Sequence, residues 1–115
     1  IGLELSLRLI RSGVSRLNII DHSEIAIVEA KEYITEICEV ESIDCDIRFY
    51  LASASDKEFI SNLFAETTYD FVFHAAAYKH VPLLEDNEVQ GVKNNLNSTA
   101  TVLSSARETG VRNFV

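Results

Sequence analysis

Four short apolar runs recur along the chain: RLNIID at residues 16–21, IRFYLA at 47–52, FVFHAAA at 71–77 and VRNFV at 111–115. Each is brief and rich in β-branched and aromatic residues, the pattern of a strand buried on both faces. Helical patterns separate them. Ser23 is placed to cap a helix running through Ile37, with Ile27, Ala30 and Ile34 at helical spacing. Ser55, Asp56, Lys57 and Glu58 read as an S-x-x-E capping box ahead of Phe59, Ile60, Leu63 and Phe64. Residues 83–109 put Val89, Val92, Leu96, Thr99, Leu103 and Ala106 at steps of three and four, and Gly110 ends the pattern.

The first segment obeys two periods at once. Leu3, Leu5, Leu7 and Leu9 alternate as in a half-buried strand, whereas Leu3, Leu7 and Ile10 also share a helical face. Leucine is a good helix former, β-branching is absent before Ile10, and Gly13 follows as a stop, so we expect a helix. The order is then α-β-α-β-α-β-α-β. Such alternation predicts an α/β fold: a doubly wound parallel sheet with right-handed crossovers and helices on both faces. At 115 residues one domain, or part of one, is expected, large enough to hide roughly two-thirds of its unfolded surface. Ligands of such sheets bind at the carboxyl ends of the strands.

Composition narrows the partners. Eighteen acidic against ten basic residues leave a net charge of −8, which repels nucleic-acid backbones and anionic lipid. Cys38 and Cys45 form no CxxC and have no histidine at metal-ligand spacing, so a zinc site is not supported and free thiols in a reducing cytosol are expected. No run reaches the ~18 apolar residues of a membrane span, and no signal-peptide pattern is present. The start at Ile1 and the lack of methionine read as a piece of a longer chain.

Chemistry concentrates after the strands. Asp21 follows Gly2 by 19 positions, near the spacing from the last glycine of a dinucleotide loop to the acid that grips the adenosine ribose. The competing reading makes Asp21 a cap for the next helix. HAAAYKHVPLLE, residues 74–85, places three alanines where a ligand can lie against backbone, followed by Tyr78, Lys79 and His80; close helix packing with solvated Lys and His is the alternative. VKNNLNST holds Asn94, Asn95 and Asn97 in a helical pattern, either for hydrogen bonding to loops or ligand, or as a solvated face.

Asp21-His22-Ser23-Glu24, HAAAYKHVPLLE and VKNNLNST together resemble the CapD-like polysaccharide-biosynthesis proteins. These are extended short-chain dehydrogenase/reductase enzymes with a Rossmann-like fold, many of them UDP-N-acetylglucosamine 4,6-dehydratases. The resemblance covers essentially the whole chain and implies a fold truncated at both ends. It implies that Gly2 approaches the cofactor pyrophosphate and that Asp21, with Ser23 nearby, binds the adenosine ribose. Ala75, Ala76 and Ala77 would line the cofactor ribose and diphosphate, Lys79 would face the nicotinamide side, and Asn95 falls on the family's helix asparagine. Where the family often has Gly-Asp-Val-Arg-Asp, the chain reads Ala52-Ser53-Ala54-Ser55-Asp56. Ser53 and Ala54 count among the implied cofactor-binding residues, with Ser53 replacing the Asp that commonly reaches the adenine amino group. Ser98 replaces the glycine of the family's N-x-x-G-T.

The family's downstream Tyr-x-x-x-Lys, which deprotonates the sugar hydroxyl, is absent from these 115 residues. The resemblance therefore implies the cofactor-binding portion of a nucleotide-sugar 4,6-dehydratase, with no catalytic residue of its own. Its cofactor is NAD or NADP, with NAD favoured because Asp21 and Glu24 oppose a 2′-phosphate. The parent is expected to take a UDP-N-acetylglucosamine-like substrate, to be a homo-oligomer, and to be cytoplasmic, with membrane attachment through upstream helices open. A non-catalytic dinucleotide-binding or interaction module is the alternative.

Overall fold

The computed structural model describes residues 2–76 and 88–115, in two compact units, Ile1–Ala52 and Ser53–Val115. The first unit runs α1 (Gly2–Arg11), β1 (Arg16–Asp21), α2 (Glu24–Val40), β2 (Asp46–Leu51). The second runs α3 (Lys57–Glu66), β3 (Phe71–Val72), α4 (Glu88–Glu108), β4 (Asn113–Phe114). The expected α-β-α-β-α-β-α-β order holds throughout the described residues.

In the first unit the ambiguous leucine segment is helical. Leu7 and Ile10 are buried while Leu3 is exposed, so the 3.6-residue face prevailed over the alternation. Gly13, at φ +89°, ends α1 by donating its N–H to the Ile10 carbonyl at 3.0 Å. β1 and β2 pair in parallel from Arg16↔Asp46 to Asp21↔Leu51. A core of Leu7, Ile10 and Ile34 lies between helices and strands, flanked by Leu17, Ile19, Ile47 and Phe49. The Arg16 guanidinium meets the Asp46 carboxylate at 2.8 Å at the first rung of the ladder.

α2 continues past Ile37, the expected end, to Val40. Its exit is a Schellman closure: Ile43 N–H donates to the Cys38 carbonyl at 2.9 Å, with Ser42 left-handed at φ +54°. Cys38 and Ile43 both pack against the core, which supplies the apolar contact that accompanies this motif. Packing therefore extended the helix beyond its last periodic residue.

The second unit corrects three expectations. The Ser55 capping box does not form; Asp56 is the N-cap of α3, its carboxylate accepting from Phe59 N–H at 3.1 Å. Ser55 turns instead to Ser53, hydroxyl to hydroxyl at 2.8 Å. The strand expected over residues 71–77 pairs regularly only at Phe71↔Asn113 and Val72↔Phe114, since a ladder lasts only as long as both partners. Two more bonds extend it, Val115 N–H to the Val72 carbonyl at 2.9 Å and His74 N–H to the Val115 carbonyl at 2.7 Å. Ala77 and the expected helix start at residues 83–87 lie outside the described residues.

The third correction concerns the buried face of α4. Val92, Leu96 and Leu103 are exposed, and the buried positions are Ser98, Thr101, Val102, Ser105 and Ala106. Of the face read from the spacing, Ala106 is buried as expected and Thr99 is exposed, while the Val89 side chain lies outside those described. Small side chains let α4 approach α3, whose Ile60, Leu63 and Phe64 are buried. Ser98 can sit inside because its hydroxyl donates to the Asn95 carbonyl at 3.1 Å. Thr101 differs: its hydroxyl oxygen is buried with no partner among the described residues.

Two substitutions in α4 should therefore move stability in opposite directions. Thr101→Val keeps the shape and removes an unsatisfied hydroxyl, so it should stabilise by about 1–2 kcal/mol. Gly110 closes α4 at φ +78°, and an added Cβ would meet nothing within 4 Å. Gly110→Ala therefore reports backbone strain alone and should cost about 1–2 kcal/mol. Denaturant unfolding of the two variants checks both signs.

Candidate functional site

The first unit ends its β1 strand at the acid singled out by spacing. The Asp21 carbonyl accepts from Ala52 N–H at 3.0 Å, which continues the parallel ladder by one bond and fixes the strand's carboxyl end. The Asp21 carboxylate oxygen Oδ1 accepts from Ser23 N–H at 2.9 Å, an Asx turn that orients the carboxylate over the entrance to α2. His22 Nδ1 stands 3.5 Å from the same oxygen. Helix capping falls to Ser23, whose hydroxyl accepts from Ala26 N–H at 3.3 Å. The capping alternative for Asp21 is thus overturned: a neighbour does that work, and the carboxylate remains 44% exposed.

Gly2 opens α1 in exposed surroundings, and an added Cβ there would meet nothing within 4 Å. The N–H groups of such a helix start favour an anion.

The second unit carries the remaining described candidates. Ser53 Oγ accepts from Ser55 N–H at 3.2 Å, and Asp56 N–H donates to the Ser53 carbonyl at 3.0 Å. This tight turn leads from Ser53 and half-buried Ala54 straight into α3. Ala75 and Ala76 are exposed just beyond β3, and each carries only a methyl group. Ala77, Tyr78, Lys79 and His80 lie outside the described residues. On α4, Asn94 and Asn95 are half-buried and Asn97 is exposed, so the solvated reading fits only the last.

A contact that sequence reasoning missed joins these pieces. His74 Nε2 lies 3.0 Å from Thr99 Oγ1, across 25 residues of sequence. Thr99 in turn donates its hydroxyl proton to the Asn95 carbonyl at 2.8 Å. The His74 ring also stands 6.2 Å from that of Phe114 on β4. No local pattern announces such a pair; the one available signal was a histidine placed at the strand exit, just before the alanines.

Burial lowers the His74 pKa below its ordinary 6.5. The folded state resists protonation there, so the unfolded state gains protons first as pH falls. Stability should accordingly decline as pH drops below about 6.5 and level off below the folded pKa. His74→Gln, which keeps a donor near Nε2 without a titrating ring, should flatten that part of the curve. Denaturant unfolding between pH 7.5 and 5 measures it.

Cys38 and Cys45 are both free, and burial pushes the Cys45 thiol up, so it stays protonated and unreactive at neutral pH. Among the described residues no cluster of three or more His, Cys, Asp or Glu could hold a metal, and no helix is long and apolar enough to cross a membrane.

Comparison with known proteins places this geometry in a family. The family described as "Polysaccharide biosynthesis protein" matches residues 1–115. A UDP-N-acetylglucosamine 4,6-dehydratase (inverting) of Campylobacter jejuni is 33% identical over 87 residues, covering 76% of this chain and 25% of that protein. An uncharacterized membrane protein of Methanocaldococcus jannaschii is 30% identical over 115 residues, covering 100% of this chain and 32% of that one. The chain thus spans a quarter to a third of the length of these curated relatives. The crystal structure of UDP-glucose 4-epimerase from Bifidobacterium longum in complex with NAD+ and UDP superposes with a TM-score of 0.78 at 20% identity, covering 97% of this chain and 32% of that one. That likeness carries the fold, a Rossmann-like α/β arrangement with parallel strands, present here in part. With every one of its residues matched, and with the motifs that resemble CapD-like proteins inside that match, the chain belongs to the polysaccharide biosynthesis protein family.

Proposed function

We propose that the chain is the cofactor-binding portion of a nucleotide-sugar 4,6-dehydratase acting in surface polysaccharide synthesis. Residues 1–115 would form part of one dinucleotide-binding domain. The observation that carries this reading is the Asp21 carboxylate, held by Ser23 N–H at the carboxyl end of β1 and still open to solvent. The residues present suit a nicotinamide dinucleotide. An oriented, exposed carboxylate can accept two ribose hydroxyls, the start of α1 offers N–H groups to a phosphate, and exposed Ala75 and Ala76 present only methyl groups. The dehydratase from Campylobacter jejuni and the NAD+-bound epimerase support this choice of cofactor and of substrate class.

Within this reading each residue binds or orients. Gly2 admits the pyrophosphate to the N-terminus of α1, and Asp21, steadied by Ser23, receives the adenosine ribose. Ser53 and Ala54 face the adenine; Ser53 offers a hydroxyl already engaged with Ser55, a weaker partner than a carboxylate. Ala75, Ala76 and Ala77 lie along the ribose and diphosphate, Lys79 supplies a positive charge on the nicotinamide side, and Asn95 supports them from α4. The dinucleotide, when bound, would supply the two-electron redox chemistry: it would take hydride from C4 of the sugar and return it at C6 after water leaves across C5 and C6, so that C4 remains a ketone. The proton-transfer residues of the family, Tyr-x-x-x-Lys, are assigned to sequence beyond this chain. The full-length protein is placed on the cytoplasmic side, where nucleotide sugars are made.

Charge favours NAD over NADP in this reading. A 2′-phosphate would bring about two negative charges towards Asp21 and Glu24, with no Arg among the next residues to receive it. Charge-assisted hydrogen bonds contribute roughly 1.5–3 kcal/mol. We therefore expect the full-length protein to bind NAD at least about tenfold more tightly than NADP, and Asp21→Ala to erode the preference by weakening NAD. Calorimetric titration with both dinucleotides is decisive; equal or tighter NADP binding rejects the role of Asp21.

Activity is tested separately. The full-length protein with UDP-N-acetylglucosamine should yield a 4-keto-6-deoxy product, whereas the 115-residue chain should yield none, because general acid and base groups each contribute ~10²–10⁴-fold. Product from the short chain, or none from the full-length protein with any UDP-sugar, overturns the dehydratase reading. Lys79→Ala should weaken cofactor binding with little change in melting temperature, and unchanged affinity removes Lys79 from the site.

A further inference from the structure

We propose that His74 and Thr99 form a brace that positions the Ala75–Ala76 backbone against α4, and that this brace sets how tightly the cofactor is held. The inference rests on the reading of Ala75 and Ala76 as cofactor-lining residues. His74 and Thr99 act through the backbone that follows, as positioning residues.

The geometry makes the case. The regular pairing of β3 ends at Val72, and among the described residues the last backbone bond of the segment is His74 N–H to the Val115 carbonyl. Beyond it Ala75 and Ala76 are exposed and have no side chain large enough to anchor them. The side chain immediately before them must supply the anchor. His74 does so from three sides: its backbone is tied to Val115, its ring lies beside Phe114, and its Nε2 reaches Thr99 on α4.

Hydrogen counting fixes the direction of that last bond. Thr99 has one hydroxyl proton, and it goes to the Asn95 carbonyl. Towards His74 the Thr99 oxygen can only accept, so Nε2 carries the hydrogen and the neutral ring is the Nε2–H tautomer. The chain of donation runs from His74 through Thr99 to the backbone of Asn95. It couples the strand exit to the turn of α4 that bears one of the implied cofactor-binding residues. A defined tautomer and a helix-anchored acceptor leave the ring one orientation, and the backbone that follows inherits it.

The experiment is calorimetric titration of the full-length protein with NAD, comparing wild type, Thr99→Val and Thr99→Ser. Valine preserves the shape of threonine and removes the acceptor; serine restores the hydroxyl. Thr99→Val should weaken NAD about three- to tenfold, the range of one net hydrogen bond. Thr99→Ser should return to within about twofold of wild type, a rescue that a purely space-filling role would not produce. Wild-type affinity in Thr99→Val, or equal weakness in Thr99→Ser and Thr99→Val, overturns the brace while leaving the cofactor reading intact. Failure of the wild-type protein to bind any nicotinamide dinucleotide instead rejects the cofactor reading itself, and the brace with it.

Discussion

Parallel pairing is the constraint on which the rest depends. Two adjacent parallel strands cannot be joined by a tight turn, so the chain must leave the sheet and return from the same end. In the first unit α2 makes that return between β1 and β2, and in the second α4 precedes β4, the parallel partner of β3. One consequence is that helix starts sit beside strand ends. Asp21 and Ser23 exploit that adjacency, the first as an oriented carboxylate and the second as the cap of the helix that carries the chain away. A second is that the strands meet only where both partners are extended, which is why the two-rung pairing of β3 and β4 is finished by single bonds from His74 and Val115.

Much of this was legible because the relevant forces are local. RLNIID marks β1 to the residue, the glycines at 13 and 110 mark helix exits through their left-handed backbone, and Ser23 caps as its position suggests. What escaped was decided at a distance. The end of α2 depends on Cys38 and Ile43 finding the same core, so a serine accepted the left-handed position that the pattern reserves for glycine. Between Ser55 and Asp56 either side chain could cap α3, and the pull of Ser53 on Ser55 settled it.

The site shows the same division. The position of Asp21 at the end of β1 could be read by counting along the chain, because strand and acid are written consecutively. The link from His74 to Thr99 could not, since hydrogen bonding between residues 25 apart leaves no period and no motif. Ser98, noted as a departure from the family pattern, proves compatible with burial for a reason invisible in a one-dimensional reading: its hydroxyl has a carbonyl of its own helix to bond.

The inverted face of α4 has a bearing on how this protein can change over time. A helix held by large aliphatic side chains tolerates enlargement poorly and truncation worse, since each lost methylene leaves a void. Apart from Val102, the buried face of α4 is serine, threonine and alanine, with little to truncate. Sensitivity at these small positions is one-sided: drift towards smaller residues costs little, whereas an added branch at Ser98, Ser105 or Ala106 strains the packing around it. Substitution records for this helix should therefore show its small buried positions, not its large ones, as the guardians of the spacing.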